Sequence, residues 1–125
     1  MLGIAVVGSR GFNDYKALQR ILNKIRTKYD IDTIISGGAN GVDKFAEKYA
    51  HENNLKMIVH PANWDKYGKR AGYIRNVDIW NDAFMGLAIW DGKSPGTKHS
   101  FDIAKKQNKQ LIIYNYTENK FMENK

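Results

Sequence analysis

Three glycines fall within the eight residues Ser36-Gly37-Gly38-Ala39-Asn40-Gly41-Val42-Asp43, between the apolar run Ile31 to Ile35 and a helix-like stretch through Lys44, Phe45 and Ala46. Glycine costs chain entropy in such a place unless a bare backbone is needed. An anion is one such need. Backbone N–H groups of a strand-to-helix turn converge on phosphate, and the following helix adds unpaired N–H groups and the positive end of its dipole. Asp91-Gly92-Lys93-Ser94-Pro95-Gly96-Thr97 has the same character, and Gly8-Ser9-Arg10-Gly11-Phe12 adds a cation and a hydroxyl. Arg10 and Arg75 carry guanidinium groups suited to bidentate phosphate pairing, and Asn76 can hydrogen-bond a ribose or a base edge. A phosphorylated ribose or a nucleotide is the guest this set would take. Glycines also make tight turns in any α/β protein, so the reading rests on the loops together.

Neither standard nucleotide fingerprint is present. Gly8 and Gly11 lack the three-glycine dinucleotide spacing, and no loop ends in Gly-Lys-Ser/Thr, which argues against an ordinary dehydrogenase or P-loop ATPase. His51 and His99 show no metal-ligand spacing, and neither metal nor cofactor is expected. His60 has both a ligand-facing and a plain loop reading. Trp64 and Tyr67 can stack on a base or pack at an oligomer interface.

Five apolar, β-branched runs must position these loops: Ile4 to Val7, Thr33 to Ile35, Met57 to Val59, Leu87 to Trp90 and Leu111 to Tyr114. Helix-like segments alternate with them. Tyr15, Leu18, Leu22, Ile25 and Tyr29 share one helical face behind an N-cap at Asn13 or Asp14, and Val42, Phe45, Ala46, Tyr49 and Ala50 share another. A third helix is predicted over about 72–84, with Tyr73, Val77, Trp80 and Phe84 on one side and Trp80 and Phe84 in the core. A fourth is predicted from Thr97 to about Asn108. Strands apolar on both faces and separated by helices predict an α/β fold. The expected form is a Rossmann-like three-layer sandwich with a central parallel sheet of about five strands. In such a sheet the ligand crevice lies at the carboxyl ends of the strands, where all the unusual loops fall.

Length and charge set the remaining bounds. The 125 residues predict one domain over 1–114, and the polar tail 115–125 is expected to fray or lie on the surface. The absence of cysteine fits a reducing compartment, the cytoplasm by default. The first residues read as a buried strand, with neither a membrane span nor a leader expected. Twenty Lys and Arg against thirteen Asp and Glu give a net charge of +7. That keeps an anionic partner in view, nucleic acid included, although many of the lysines suit solvated helix faces.

Taken in order, four motifs resemble the SLOG superfamily, which includes the DNA-processing protein A fold and the "lonely guy" phosphoribohydrolases. They are Val6-Val7-Gly8-Ser9-Arg10-Gly11-Phe12, the 36–43 loop, Lys69-Arg70-Ala71-Gly72-Tyr73-Ile74-Arg75-Asn76, and Trp90-Asp91-Gly92-Lys93-Ser94-Pro95-Gly96-Thr97. Within it the chain is most similar to the YspA, cpYpsA-related (DUF2493) branch. The resemblance implies a nucleotide or nucleotide-derived ligand over the glycine loops, commonly in a homodimer or larger assembly. The implied ligand residues are Gly8, Ser9, Arg10, Gly37, Gly38, Asn40, Gly41, Arg75, Asn76, Asp91, Gly92, Ser94, Gly96 and Thr97.

The phosphoribohydrolases use an Arg after the third strand, where Arg75 stands, and a Glu in Gly-Thr-x-x-Glu, where this chain has Ser100. A neutral hydroxyl cannot supply the charge that a carboxylate offers an oxocarbenium-like transition state. The expectation is therefore a sensor, carrier or sequestering protein. A nucleoside 5′-monophosphate phosphoribohydrolase using Arg75 and another acid, Asp91 first and Asp43 or Asp102 after it, is the alternative. Single-stranded DNA binding is the second alternative.

Overall fold

In the computed structural model, which describes residues 1–124, the apolar runs pair into one sheet whose central strands are buried on both faces. The strands are β1 (Gly3–Gly8), β2 (Thr33–Ser36), β3 (Lys56–Val59), β4 (Met85–Trp90), β5 (Leu111–Asn115) and β6 (Lys120–Met122). Their order is β3-β2-β1-β4-β5-β6; the first five run parallel and β6 runs antiparallel to β5. The helices are α1 (Tyr15–Arg26), α2 (Val42–Glu52), α3 (Trp64–Tyr67), α4 (Ala71–Asp82) and α5 (Pro95–Lys106), with a short 3₁₀ turn Gly68–Arg70 before α4. No helix among the described residues is long and apolar enough to cross a membrane.

Side chains alternate across a strand, so each central strand feeds two cores. Ile4, Val6, Ile34, Leu87 and Ile89 pack with Leu18 and Leu22 of α1 and with Ala46 and Tyr49 of α2. Ala5, Val7, Ile35, Ala88 and Ile113 pack on the other face with Ile79 and Trp80 of α4 and with Phe101 and Ala104 of α5. Leu18 and Leu22 are almost wholly removed from water, which contributes about 1.5–3 kcal/mol each. Asp14 caps α1 by accepting a hydrogen bond from Ala17 N at 3.2 Å. Lys24 and Arg26 face the negative end of the same helix.

One expectation is corrected and one refined. Of the four residues placed on one side of the third predicted helix, only Trp80 is buried; Tyr73, Val77 and Phe84 are 45, 41 and 46% exposed. The buried side of α4 carries Ala71, Asn76, Ile79 and Trp80, because α4 leans on both the sheet and α5. Asn76 makes the contact with α5 through polar groups, which an apolar stripe cannot reveal. The polar tail, expected to fray or lie on the surface, does lie on the surface but is ordered, and it extends the sheet. Asn115 Oδ1 accepts hydrogen bonds from Thr117 N, Thr117 Oγ1 and Glu118 N, and the chain turns back into β6 with Tyr114 opposite Phe121. A three-residue strand flanked by polar residues carries too little alternation to be read in advance.

Candidate functional site

β1 and β4 are neighbours, yet the chain goes from β1 outward to β2 and β3 on one side and from β4 to β5 on the other. The loops leaving their carboxyl ends diverge to opposite sides of the sheet, and a crevice opens between them. A cleft of about 470 Å³ occupies this place, within the range of small-molecule sites. Gly8, Ser9, Arg10, Arg75, Asn76, Asp91, Ser94, Gly96 and Thr97 line it, as do Asp43, Trp64, Lys69, Tyr73 and Ser100.

Hydroxyls and one carboxylate hold the two walls together. Ser9 Oγ accepts from Asp91 N at 3.0 Å and lies 3.2 Å from Ser94 Oγ. Ser94 Oγ donates to Asp91 Oδ2 at 2.8 Å, while Asp91 Oδ1 accepts from Lys93 N at 2.8 Å and Ser94 N at 2.7 Å. Burial raises the Asp91 pKa, but the donors from Ser94, Lys93 and Ser9 outweigh it and the net shift is downward. Asp91 is thus an ionised brace of the α5 entry, and Ser9 is the rivet between the first and fourth strand loops. In the first turn of α5, Pro95 has no N–H, and the Gly96 and Thr97 N–H groups have no acceptor within the helix.

The second glycine loop is occupied by the protein itself. Asp43, only 7% exposed, reaches back so that Oδ2 accepts from Ala39 N at 3.1 Å, and the Gly37 backbone N–H also stabilises the carboxylate. Gly38 N donates to Ser36 Oγ at 3.3 Å. Gly37, Gly38, Asn40 and Gly41 do not line the cleft, and neither does Gly92. Gly37 works by close approach: its carbonyl accepts from an Arg75 Nη at 2.7 Å, and a Cβ there would lie 2.2 Å from that nitrogen.

Arg75 and Arg10 bring two guanidinium groups to one cleft. Burial disfavours the charged form of Arg75, Asp43 supports it and Arg10 repels it, with a net lowering of its pKa. Its Nε is buried without a hydrogen-bond partner among the described residues, as is Ser100 Oγ. Burial pushes the Asp43 carboxyl up to about 6 against the opposing pull of the Ala39 N–H, Arg75 and the Gly37 N–H. The raised value means that folding binds a proton between the unfolded value, 3.8, and about 6. Asp43's contribution to stability therefore falls as pH rises through that window. Asp43→Asn is expected to remove this part of the pH dependence, read as the wild-type minus variant difference in urea unfolding at successive pH values. An unchanged profile would refute the buried-acid assignment.

Asn76 ties α4 to α5: its Nδ2 donates to Gly96 O at 3.1 Å and lies 3.3 Å from His99 Nδ1. Burial lowers the His99 pKa, so a neutral ring accepts from Asn76, and Tyr73 meets that ring edge-on at 4.7 Å. Tyr73 and Trp64, 45 and 52% exposed, leave two flat faces at the cleft. Tyr67 and His60 are not among its lining residues; His60 Nε2 instead meets Asp82 Oδ2 at 2.6 Å. Periodicity placed Tyr73 only on the same helical side as Trp80, and its place between Gly72 and Arg75 in a ligand-type motif marked it. Asp43 was legible as an acid on the apolar face formed by Val42 and Ala46.

The family model described as YAcAr, "YspA, cpYpsA-related SLOG family", matches residues 3–67, from β1 through α3. The Gene 61 protein of Mycobacterium phage D29 is 32% identical over 124 residues, covering 91% of this chain and 97% of that protein. The chain belongs to the YspA, cpYpsA-related SLOG family. Both the 8–12 and the 36–43 loops of this SLOG chain lie inside the matched region. The fold is also similar to a phosphoribosylglycinamide formyltransferase from Coxiella burnetii, solved in complex with CHES. The TM-score is 0.52 with 17% identity over 90% of this chain. The SLOG chain spans about half the length of that enzyme, covering 50% of it, and the likeness is one of fold. Family membership indicates a nucleotide-related binding or processing role.

Proposed function

We propose that the cleft binds a nucleotide-derived small molecule without altering it, so that the protein acts as a sensor, carrier or sequestering protein. The observation that carries this reading is the convergence of Arg10 and Arg75 on one cleft with two exposed aromatic faces. The paired guanidiniums are left in mutual repulsion that a phosphate relieves, and the α5 entry supplies backbone donors to the same anion. Trp64 and Tyr73 offer stacking surfaces for a base, with Lys69 nearby. Asp91 is held by its own loop and Ser100 is uncharged, so neither favours glycosidic cleavage.

Isothermal titration with nucleoside monophosphates, dinucleotides and ribose 5-phosphate tests the proposal. Saturable binding with the ligand recovered unchanged is expected; failure of the whole panel to bind would refute it. Trp64→Ala is expected to weaken a bound nucleoside monophosphate about tenfold, within the usual range for base stacking, and to leave ribose 5-phosphate unaffected. Equal losses for both ligands would remove Trp64 from base recognition.

Asp43 favours a second reading. A buried carboxyl with a raised pKa beside Arg75 is suited to take a proton from water attacking C1′ of a nucleoside monophosphate as the C1′–N bond breaks and the departing base takes a proton from solvent. Chromatography of the titrated nucleotides for released base separates the readings: free base that disappears in Asp43→Asn supports hydrolysis, and intact nucleotide supports binding alone.

A further inference from the structure

A second concavity shares no lining residue with the cleft. α1 and α2 cover the inner strands on their side, while β5 and β6 on that same side have no helix over them. β5 shows the result: Leu111, Ile113 and Asn115 are buried, and Ile112 and Tyr114 are only half-buried. Between this uncovered sheet and α1 lies a groove of about 530 Å³ lined in part by Arg20, Lys24, Lys28, Tyr29, Tyr114 and Phe121.

The groove has two chemical properties. Its floor presents aromatic faces: Tyr114 and Phe121 are cross-strand partners with ring centroids 5.0 Å apart, and Phe121 is 60% exposed. Its helical wall presents a row of cations. Arg20 and Lys24 stand one turn apart on α1, a rise of about 6 Å, and Lys28 continues the row in the turn beyond. No carboxylate is among the described residues that line it, and Glu118, in the nearby hairpin turn, is paired with Lys120 at 3.2 Å.

An occupant must meet flat apolar rings and a line of positive charges at once. A second copy seated symmetrically would set the same cations near one another across the contact, which like-charge repulsion opposes. An acidic peptide satisfies the cations and makes little use of the rings. Single-stranded nucleic acid satisfies both, because its phosphates follow the cations while its bases stack on the aromatics. The net charge of +7 attracts the same polyanion from a distance. We propose that the groove between α1 and the β5–β6 hairpin binds single-stranded nucleic acid, at a site separate from the nucleotide cleft.

Fluorescence anisotropy of the full chain with labelled oligothymidylate and oligouridylate of about 16 nucleotides, over a range of salt, tests the proposal. Binding to either strand is expected. The double variant Arg20→Gln, Lys24→Gln is expected to bind at least about tenfold more weakly. Its slope of log affinity against log salt should be shallower by about 1.4, since each phosphate contact on a single strand contributes about 0.7. Phe121→Ser, at an exposed position, is expected to bind at least about fivefold more weakly with its salt slope unchanged. Arg10→Ala, in the cleft, is expected to bind oligonucleotide as the wild type does. The proposal is overturned if neither strand binds at low salt, if the groove variants bind like the wild type, if Arg10→Ala abolishes binding, or if only an acidic peptide is bound. Nucleotide binding in the cleft is read separately, by calorimetry.

Discussion

Arg75→Ala is expected to abolish calorimetrically detectable binding of a nucleoside monophosphate and to lower stability by about 1.5–3 kcal/mol, the usual contribution of a charged hydrogen bond. Both effects follow from one placement. The guanidinium donates to Gly37 O at 2.7 Å, supports the ionised form of Asp43 and lines the cleft beside Arg10. Its loss removes an anion-pairing group and leaves the buried Asp43 carboxylate without its nearest cation, so protonated Asp43 is favoured further. Arg75→Lys keeps the charge and loses the planar fork, and should retain weak binding. Arg10→Ala is expected to weaken binding with little change in stability, because Arg10 is exposed. Calorimetry and urea unfolding on the three variants provide the check. Wild-type affinity in Arg75→Ala would remove the cleft as a phosphate site.

Gly41→Ala is expected to cost about 3 kcal/mol or more, a shift of over a hundredfold in the folded-to-unfolded ratio. Gly41 precedes α2 at φ 77° and ψ −124°, a conformation that side chains avoid. A Cβ there would stand 2.4 Å from Arg10 O and 2.6 Å from Ser9 O, both backbone atoms. The second glycine loop is therefore pressed against the first, and relief requires the cleft wall itself to move. The check is the urea midpoint at unchanged slope; a loss below about 1 kcal/mol would show that the two loops separate easily. Because Val42 N donates to Ser9 O at 3.4 Å across the same contact, nucleotide affinity should fall with stability in this variant.

These two residues show where sequence and structure part. Gly41 was legible as a backbone requirement, because a glycine at a strand-to-helix turn has few other reasons to be there. The reason differs from the anticipated one: it makes room for a neighbouring loop, and the Ala39 and Gly37 amides serve Asp43. Arg75 was legible as a cation near the crevice through its motif, but its hold on Gly37 was not. That contact joins residues 38 positions apart and exists only once α4 is laid against the sheet.

By itself the sequence determined the alternation of strand and helix, the five parallel strands and the end of the sheet at which the unusual loops gather. These depend on local periodicity and on chain chirality, which short segments carry within themselves. Tertiary packing decided the rest. It turned Phe84 out of the core, set Tyr73 on the cleft, folded the polar tail back as β6, and left the β5–β6 surface open beside the cations of α1. Each outcome is a competition between faces of comparable hydrophobicity, or between a carboxylate and a solvated loop. It is settled by which neighbour arrives, and no local pattern records that.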